Sequence, residues 1–338
     1  MTFATSKEPV DAVITWVDGY DPKHQEKLAN YLNKMGLQRP VSAEPTRFNQ
    51  CGEIEHCIKS ILRFAPWIRT IYLVTDAQIP SFTASLQNNI PEGKLIIVDH
   101  QDIFSGFEHC LPTFNSLSIE SVLWRINGLS EKFIYFNDDQ FLIRPVHYED
   151  FFREDKLVLR GDWKIQNKKT WRSLLRQYCP FLATTRFLQD KPNEHRRVQE
   201  SSAAFAGYKK KFLSLPHAPL PLKKSILEDF FFHNPTALVN NIRFPLRDSE
   251  QFWAMSLAQH LALKNNQAII DNSLTAIMVN GACHSLNKIQ TRLTYAEKFN
   301  QVTFVCMQSM DMAPETTQTI LHGWMESRYQ LQSIKSSA

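Results

Sequence analysis

The stretch Phe133-Ile-Tyr-Phe136 runs straight into Asn137, Asp138 and Asp139, and it restricts the fold more than any other part of the chain. Four bulky side chains without polar alternation read as a buried strand. Two adjacent carboxylates at the end of such a strand are costly to desolvate unless a positive group neutralises them. Mg²⁺ or Mn²⁺ held by Asp138 and Asp139 against a diphosphate does so; a polar turn is the alternative reading of the same two acids.

Further strands are expected at Asp11–Val17, Thr70–Thr75 and Leu95–Val98. Between them, Ile54, Ile58, Ile61 and Leu62 share one face of a helix over Gly52–Phe64. Ile119, Val122, Leu123 and Ile126 do the same over Ser116–Ile126, with Ser116 or Ser118 as the cap. This alternation predicts an α/β domain with a largely parallel sheet. Ligands in such sheets bind outside the carboxyl ends of the strands, so Thr15 to Asp18, Thr75-Asp76 and Asn137 to Asp139 are the candidate site residues. Beyond Pro145 the periodicity weakens, and helices and loops laid over the sheet are expected. A helix over Ser249–Leu263 capped by Asp248 or Ser249, a strand over Val302–Cys306 and a helix over Glu315–Arg328 complete the reading. The tail Ser333–Ala338 is expected to fray.

Net charge is only +4, yet residues 163–224 hold 14 Lys or Arg against 3 Asp or Glu, so the remainder is acidic. A basic segment on an acidic body suits an anionic acceptor or a lipid-phosphate surface; a solvated face is the plain alternative. No nucleic-acid motif accompanies it, and nucleic acid is not expected as a partner. The six cysteines form no CxxC pair, the first residues lack an apolar signal core, and no apolar run reaches membrane-spanning length. A cytoplasmic protein without disulfides is the expectation.

Three more constellations carry chemistry. Thr113, Asn115 and Ser116 precede a helix, where free backbone N–H groups can hold a phosphate or sugar hydroxyl. His217 stands between Pro216 and Pro219 in the basic segment, and an imidazole titrates near neutral pH. Arg247 lies just before the expected helix start, where positive charge opposes the helix dipole; a phosphoryl ligand or a pair with Glu250 explains it. P-loop, GxGxxG, GxSxG and HExxH patterns are all missing from the sequence.

These residues together resemble the Stealth proteins, bacterial capsular polysaccharide phosphotransferases related to the animal N-acetylglucosamine-1-phosphotransferase. Asp11-Ala-Val-Ile-Thr-Trp-Val-Asp-Gly-Tyr-Asp-Pro22 matches the first conserved region. Arg47-Phe48, Glu53, Ser60-Ile61, Ala65–Ile68, Ile71–Asp76, Gln78, Leu111–Ser116, Ile119-Glu120 and Phe136–Asp139 match the second. His217-Ala-Pro219 and Arg247–Glu250 match the third, and Phe304-Val-Cys306 the fourth.

The resemblance implies a GT-A-like (Rossmann-type) α/β core. Residues 1–149 would be its nucleotide-binding half, 150–240 a basic, mainly helical insertion facing the acceptor, and 241–338 the part completing the core. It implies transfer of a hexose-1-phosphate, as N-acetylhexosamine-1-phosphate, from a UDP-sugar to a glycan or lipid-linked glycan hydroxyl, releasing UMP, in capsule or surface polysaccharide synthesis. Asp139, His217 and Arg247 would be central, with Thr15, Trp16 and Asp18 at the uridine end. Asn115, Ser116 and Lys59 are carried as substrate-binding residues, Lys59 standing where the family has an Arg. Segment 163–224 is the candidate for peripheral contact at the inner membrane. Glu55, and Gln308-Ser309 in place of the usual Asn-Asp, depart from the pattern. The rival readings are a metal-dependent glycosyltransferase releasing UDP and a catalytically silent carbohydrate-binding protein.

Overall fold

Apolar runs too short for a helix and too continuous for a surface strand become the interior of one sheet. The computed structural model describes residues 8–36, 38–40, 43–166 and 194–329. Its first half runs β1 (Val10–Thr15), α1 (Pro22–Lys34), α2 (Glu53–Phe64), β2 (Ile71–Thr75), α3 (Thr83–Gln87), β3 (Leu95–Asp99), α4 (His100–Ile103), α5 (Ser116–Glu120) and β4 (Lys132–Asn137). Strands β4, β1, β2 and β3 lie side by side and parallel. The chain passes from β1 to β2 and β3 on one side and returns to β4 on the other. Strand order therefore reverses between β1 and β4, where Thr15 lies opposite Asn137. Loops leaving two such carboxyl ends diverge and open a crevice.

The second half runs β5 (Gln140–Leu142), β6 (Phe152–Arg153), β7 (Lys156–Leu159), β8 (Asp162–Ile165), α6 (Glu194–Phe205), β9 (Lys211–Ser214), β10 (Leu220–Lys223), α7 (Lys224–His233) and α8 (Pro235–Ile242). Then come α9 (Ala254–Lys264), β11 (Ala268–Ile270), β12 (Thr275–Asn280), α10 (Leu286–Lys298), β13 (Val302–Gln308) and α11 (Glu315–Tyr329). Strand β5 leaves the main sheet and pairs with β13, which pairs with β12 in a second sheet. Asp138 and Asp139 are the two residues on which the chain turns from one sheet into the other.

The 150–240 stretch carries α6, α7 and α8, but also strands that its weak periodicity hid. β8 and β9 form an antiparallel ribbon, and β10 joins the main sheet antiparallel to β4. Pro221 is tolerated in β10 because that strand is an edge. Residues 167–193 of the basic segment, and the 333–338 tail, lie outside the described residues. Among the described cysteines none is in a disulfide, and no described helix is long and apolar enough to cross a membrane.

Two helices differ from expectation for local reasons. The helix expected over Ser116–Ile126 ends at Glu120, and its cap is Asn115, whose side chain accepts from Leu117 N at 3.1 Å. Ser121 Oγ bonds back to the Leu117 carbonyl and the Ser121 carbonyl takes the Trp124 indole, so the following turn has other partners. The helix expected from Ser249 starts at Ala254. Asn241 pairs with both backbone groups of Phe252, and Ser202 Oγ with both of Trp253, which holds 252–253 extended.

Asp11, fully buried in β1, ties the entries of three strands together. It accepts from Arg69 Nε (2.9 Å) and Nη2 (2.6 Å), Thr70 N (3.2 Å) and Ser130 N (2.8 Å). Asp11→Ala leaves the Thr70 and Ser130 amides without their acceptor, while the part-exposed Arg69 keeps the Gly128 carbonyl, and is expected to cost about 2–4 kcal/mol in urea unfolding.

Candidate active site

A cavity of about 480 Å³ opens at the β1–β4 reversal. Thr15 and Trp16 at the end of β1, Asn137 to Asp139 at the end of β4, Ser116 at the start of α5, Arg247, and Met307 to Asp311 at and just after the end of β13 all line it. The strand ends are braced against each other, since Thr15 Oγ1 lies 2.9 Å from Tyr135 Oη and that hydroxyl donates to Asn137 Oδ1 at 2.8 Å. Gln78 grips the backbone N–H and C=O of Asp18 at 2.8 and 3.0 Å. Gly19 donates to the Phe48 carbonyl at 2.7 Å, and any Cβ there would sit 2.7 Å from Phe48 backbone atoms. The Asp18 carboxylate accepts from Tyr20 N at 2.9 Å and shapes this loop; Asp18 is not part of the cavity wall. One stretch of wall is aromatic, with the His24 ring 5.4 Å from both Phe48 and Phe114.

The acid pair sits in the cavity floor, walled by protein. Asp139 Oδ2 accepts from Cys306 Sγ at 3.3 Å. Asp139 Oδ1 is out of solvent contact, and no described donor reaches it. Desolvation raises both carboxyls above the ordinary carboxylate range; Asp139 adds to the rise at Asp138, and Glu53 to both. An acid pair in that condition lacks a positive charge. Among the described residues no group of three or more His, Cys, Asp or Glu could hold a metal. Two carboxylates and an orphan oxygen fit Mg²⁺ or Mn²⁺, which bind through one or two carboxylates together with ligand phosphates.

Elsewhere in the cavity lining, Arg247 Nη2 donates to Ser116 Oγ at 2.8 Å. Behind Ser116 lies Glu120, buried on α5 and hydrogen-bonded by the Trp253 indole. Burial pushes the Glu120 carboxyl up to about 7, against the pull of Trp253 and Arg247. Because α9 begins at Ala254, no helix dipole acts at Arg247, and Glu250 pairs with Arg243 at 2.8 Å. Arg247 is instead placed by its extended segment, where Asp248 N donates to Gln251 Oε1 and Arg197 donates to the Asp248 and Ser249 carbonyls.

Two expected ligand contacts stand elsewhere. Asn115 is fully buried, and its amide donates at 2.9 Å to both the Phe244 carbonyl and Gln251 Oε1, so its hydrogen-bonding capacity is spent on holding the Arg247 segment against α5. Lys59 is absent from the cavity wall and pairs with Glu55 at 2.6 Å one turn away on α2. The reversed charge of Glu55 is thereby matched locally.

His217 is half-buried, in the loop between β9 and β10. Its ring stacks on His195 of α6 at 4.8 Å and 19°, and its Nδ1 lies 3.4 Å from Gln308 Nε2. Gln308 is part of the cavity wall and His217 is not; the imidazole adjoins the wall at Gln308. Burial lowers the His217 pKa, favouring the neutral ring. Asp311 accepts from Thr46 Oγ1 (2.8 Å) and Asn49 Nδ2 (3.1 Å), closing the 44–50 loop onto the segment after β13.

Sequence reasoning missed Glu120 and His195 as site residues and marked Gln308 only as a departure from the family pattern. A Glu among apolar positions four residues after Ser116 was a usable signal for the first; only tertiary approach reveals His195 and the contact of Gln308 with His217.

Two family descriptions match this chain: Stealth protein CR1, conserved region 1, over residues 8–36 and Stealth protein CR2, conserved region 2, over residues 47–159. The exopolysaccharide phosphotransferase SCO2592 of Streptomyces coelicolor is 35% identical over 84% of this chain and 28% of its own length. The capsular polysaccharide phosphotransferase WcwK of Streptococcus pneumoniae is 40% identical over 44% of this chain and 42% of its own. The capsular polysaccharide phosphotransferase fcs1 of Haemophilus influenzae is 33% identical over 65% and 56%. The chain therefore spans between about a quarter and just over half of the length of these curated relatives. Among solved structures, the galactosyltransferase LgtC in complex with donor and acceptor sugar analogs aligns with 95% of this chain and 97% of its own at 12% identity and a TM-score of 0.45, a likeness too loose to assign residues. With both conserved regions in place around one cavity, the chain belongs to the Stealth family.

Proposed function

We propose that this protein transfers a sugar-1-phosphate from a UDP-sugar to a glycan hydroxyl, breaking the bond between the sugar-bearing phosphorus and the bridging oxygen, which leaves with UMP. The observation that carries this reading is the orphaned Asp139 Oδ1 in an acid pair, facing a cavity that also holds Arg247. Acids at a strand reversal, an arginine in the same cavity and phosphotransferase relatives fit a diphosphate better than a neutral sugar alone.

Each residue has a role that follows from its chemistry. Asp138 and Asp139 hold Mg²⁺ or Mn²⁺, which when bound neutralises diphosphate charge. Arg247, with Ser116, faces the phosphoryl oxygens and offsets the charge that grows on them. Thr15 and Trp16 line the part of the cavity that takes the uridine; the Trp16 indole N–H is buried without a described partner and is free to donate. His217 takes the proton from the acceptor hydroxyl. Within the basic segment, Lys223 and Arg196 are committed to Asp155 and Glu200. Among the described residues of the segment, the exposed Lys164, Lys209, Lys210 and Lys211 offer positive charge to an anionic glycan or lipid-linked acceptor, and to a membrane surface.

The purified protein, given Mg²⁺ or Mn²⁺, a panel of UDP-sugars and a glycan acceptor, is expected to release UMP and form a phosphodiester visible by phosphorus NMR. EDTA is expected to stop both. Release of UDP with a new glycoside defeats the proposal in favour of glycosyl transfer; donor binding without product favours a silent binding protein.

A further inference from the structure

Gln308 and His195 stand on two sides of His217, and neither has a part in the reading above. Gln308 closes β13, and its place is rigid. Its carbonyl accepts from Gly281 N at 2.8 Å, and Gly281 has room only for hydrogen, since a Cβ there would meet the Ser309 carbonyl oxygen at 2.3 Å. The Gln308 amide therefore reaches His217 Nδ1 from a fixed backbone. His195 is equally anchored, because Gln199 approaches its Nδ1 at 3.0 Å while the Gln199 carbonyl oxygen accepts from Leu215 N at 2.8 Å, two residues before His217. The His195 ring covers one face of His217, and the Trp253 ring lies 5.4 Å from that of His195, tilted by 50°. Burial pushes the His195 imidazole down to about 4, so the stack is between neutral rings.

We propose that Gln308 and His195 are positioning residues for His217: His195 fixes the plane of the ring and Gln308 fixes which ring nitrogen carries the proton. A glutamine suits this task because its amide presents either a donor or an acceptor to Nδ1. The contact has Gln308 Nε2 against Nδ1; a half-turn of the amide puts Oε1 there instead, and Nδ1–H then donates to Gln308 and the Nε2 lone pair is left to take a proton. The acceptor hydroxyl then gives its proton to Nε2, its oxygen forms the new bond to the sugar-bearing phosphorus as the bond from that phosphorus to the bridging oxygen breaks and UMP leaves, and the Nδ1–H bond to Gln308 stays in place while the ring becomes cationic. Among the described residues the His217 ring makes no other hydrogen bond, so Gln308 is the sole described group able to set its tautomer. The inference rests on His217 acting as the base, but its first readout does not.

The test uses the full chain labelled with ¹⁵N-histidine, with His217 assigned by comparison with His217→Ala. Long-range ¹H–¹⁵N spectra of wild type at neutral pH are expected to show His217 protonated at Nδ1. Gln308→Leu is expected to shift it toward the Nε2-protonated form that free imidazole side chains prefer, and to lower kcat roughly 10-fold with the donor KM unchanged. Gln308→Glu, whose carboxylate accepts from Nδ1–H, is expected to restore both the tautomer and most of kcat. His195→Phe, which keeps a stacking ring, is expected to hold activity within about 3-fold, and His195→Ala to lower kcat roughly 10-fold. An unchanged tautomer in Gln308→Leu, or a loss that Gln308→Glu does not restore, overturns the proposal. If instead the tautomer moves as expected while His217→Ala remains active, Gln308 does set the ring and the assignment of His217 as base is what fails.

Discussion

Asp139→Ala is expected to lower turnover by about 10³-fold or more while the protein melts at or above the wild-type temperature in metal-free buffer. The two halves of this result have one cause. Asp139 gives the fold little through its side chain: one weak bond from Cys306 Sγ reaches Oδ2, and the ladder contact from Met307 N is made to its backbone oxygen, which alanine keeps. Against that small gain stands a desolvated carboxyl beside Asp138, whose own carboxyl its charge pushes up. Truncation removes the repulsion and leaves Met307 paired. A group that costs stability and persists at a cavity floor is kept for what it binds. The accompanying measurement is thermal: Mg²⁺ with a UDP-sugar is expected to raise the melting temperature of wild type and not of Asp139→Ala. Equal ligand-induced shifts in the two proteins would remove Asp139 from the metal site.

The parts of this site legible in the sequence are those that local chain chemistry fixes. Phe133 to Phe136 cannot be a surface strand, and once it is interior the Asn-Asp-Asp that follows must emerge at a strand end; β4 and the acids are where that reasoning puts them. Thr15 and Trp16 follow from the same rule applied to β1. The errors arise where a residue has two local meanings and distant groups choose between them. Asn115 had the form of a ligand-binding cap, and it is a cap, but Phe244 and Gln251, more than 120 residues away, consume its amide. Lys59 had the right charge on a helix next to the site, yet Glu55 one turn earlier on α2 takes it. The Ser249 helix start failed because Asn241 and Ser202 supply the hydrogen bonds that would otherwise favour continuing the turn. Strand β10 was hidden because Leu220-Pro-Leu222 is too short to show a period and gains its meaning only by lying against Phe133 to Tyr135.

His217→Ala is expected to lower kcat by about 10²–10⁴-fold with the donor KM within about 3-fold, because the imidazole lies outside the cavity wall and acts on the acceptor side. Its pH signature separates it from Glu120. Burial lowers the His217 pKa below the ordinary histidine value of about 6.5, so the proton-accepting form is present at neutral pH and is lost as pH falls through that lowered value. kcat/KM should therefore show an acid limb below pH 6.5. Glu120 titrates higher, since burial lifts its carboxyl to about 7, and its ionised form is the one that faces Arg247. If Glu120 set the limb, activity would fall near pH 7 and Glu120→Gln would abolish that fall. With His217 as the base, Glu120→Gln leaves a limb below 6.5 in place, whereas His217→Ala, assayed at high enzyme concentration, gives residual turnover that no longer bends in that range. A limb near 7 that survives in His217→Ala would transfer the proton-accepting role away from the histidine and toward the acids on the cavity side of Arg247.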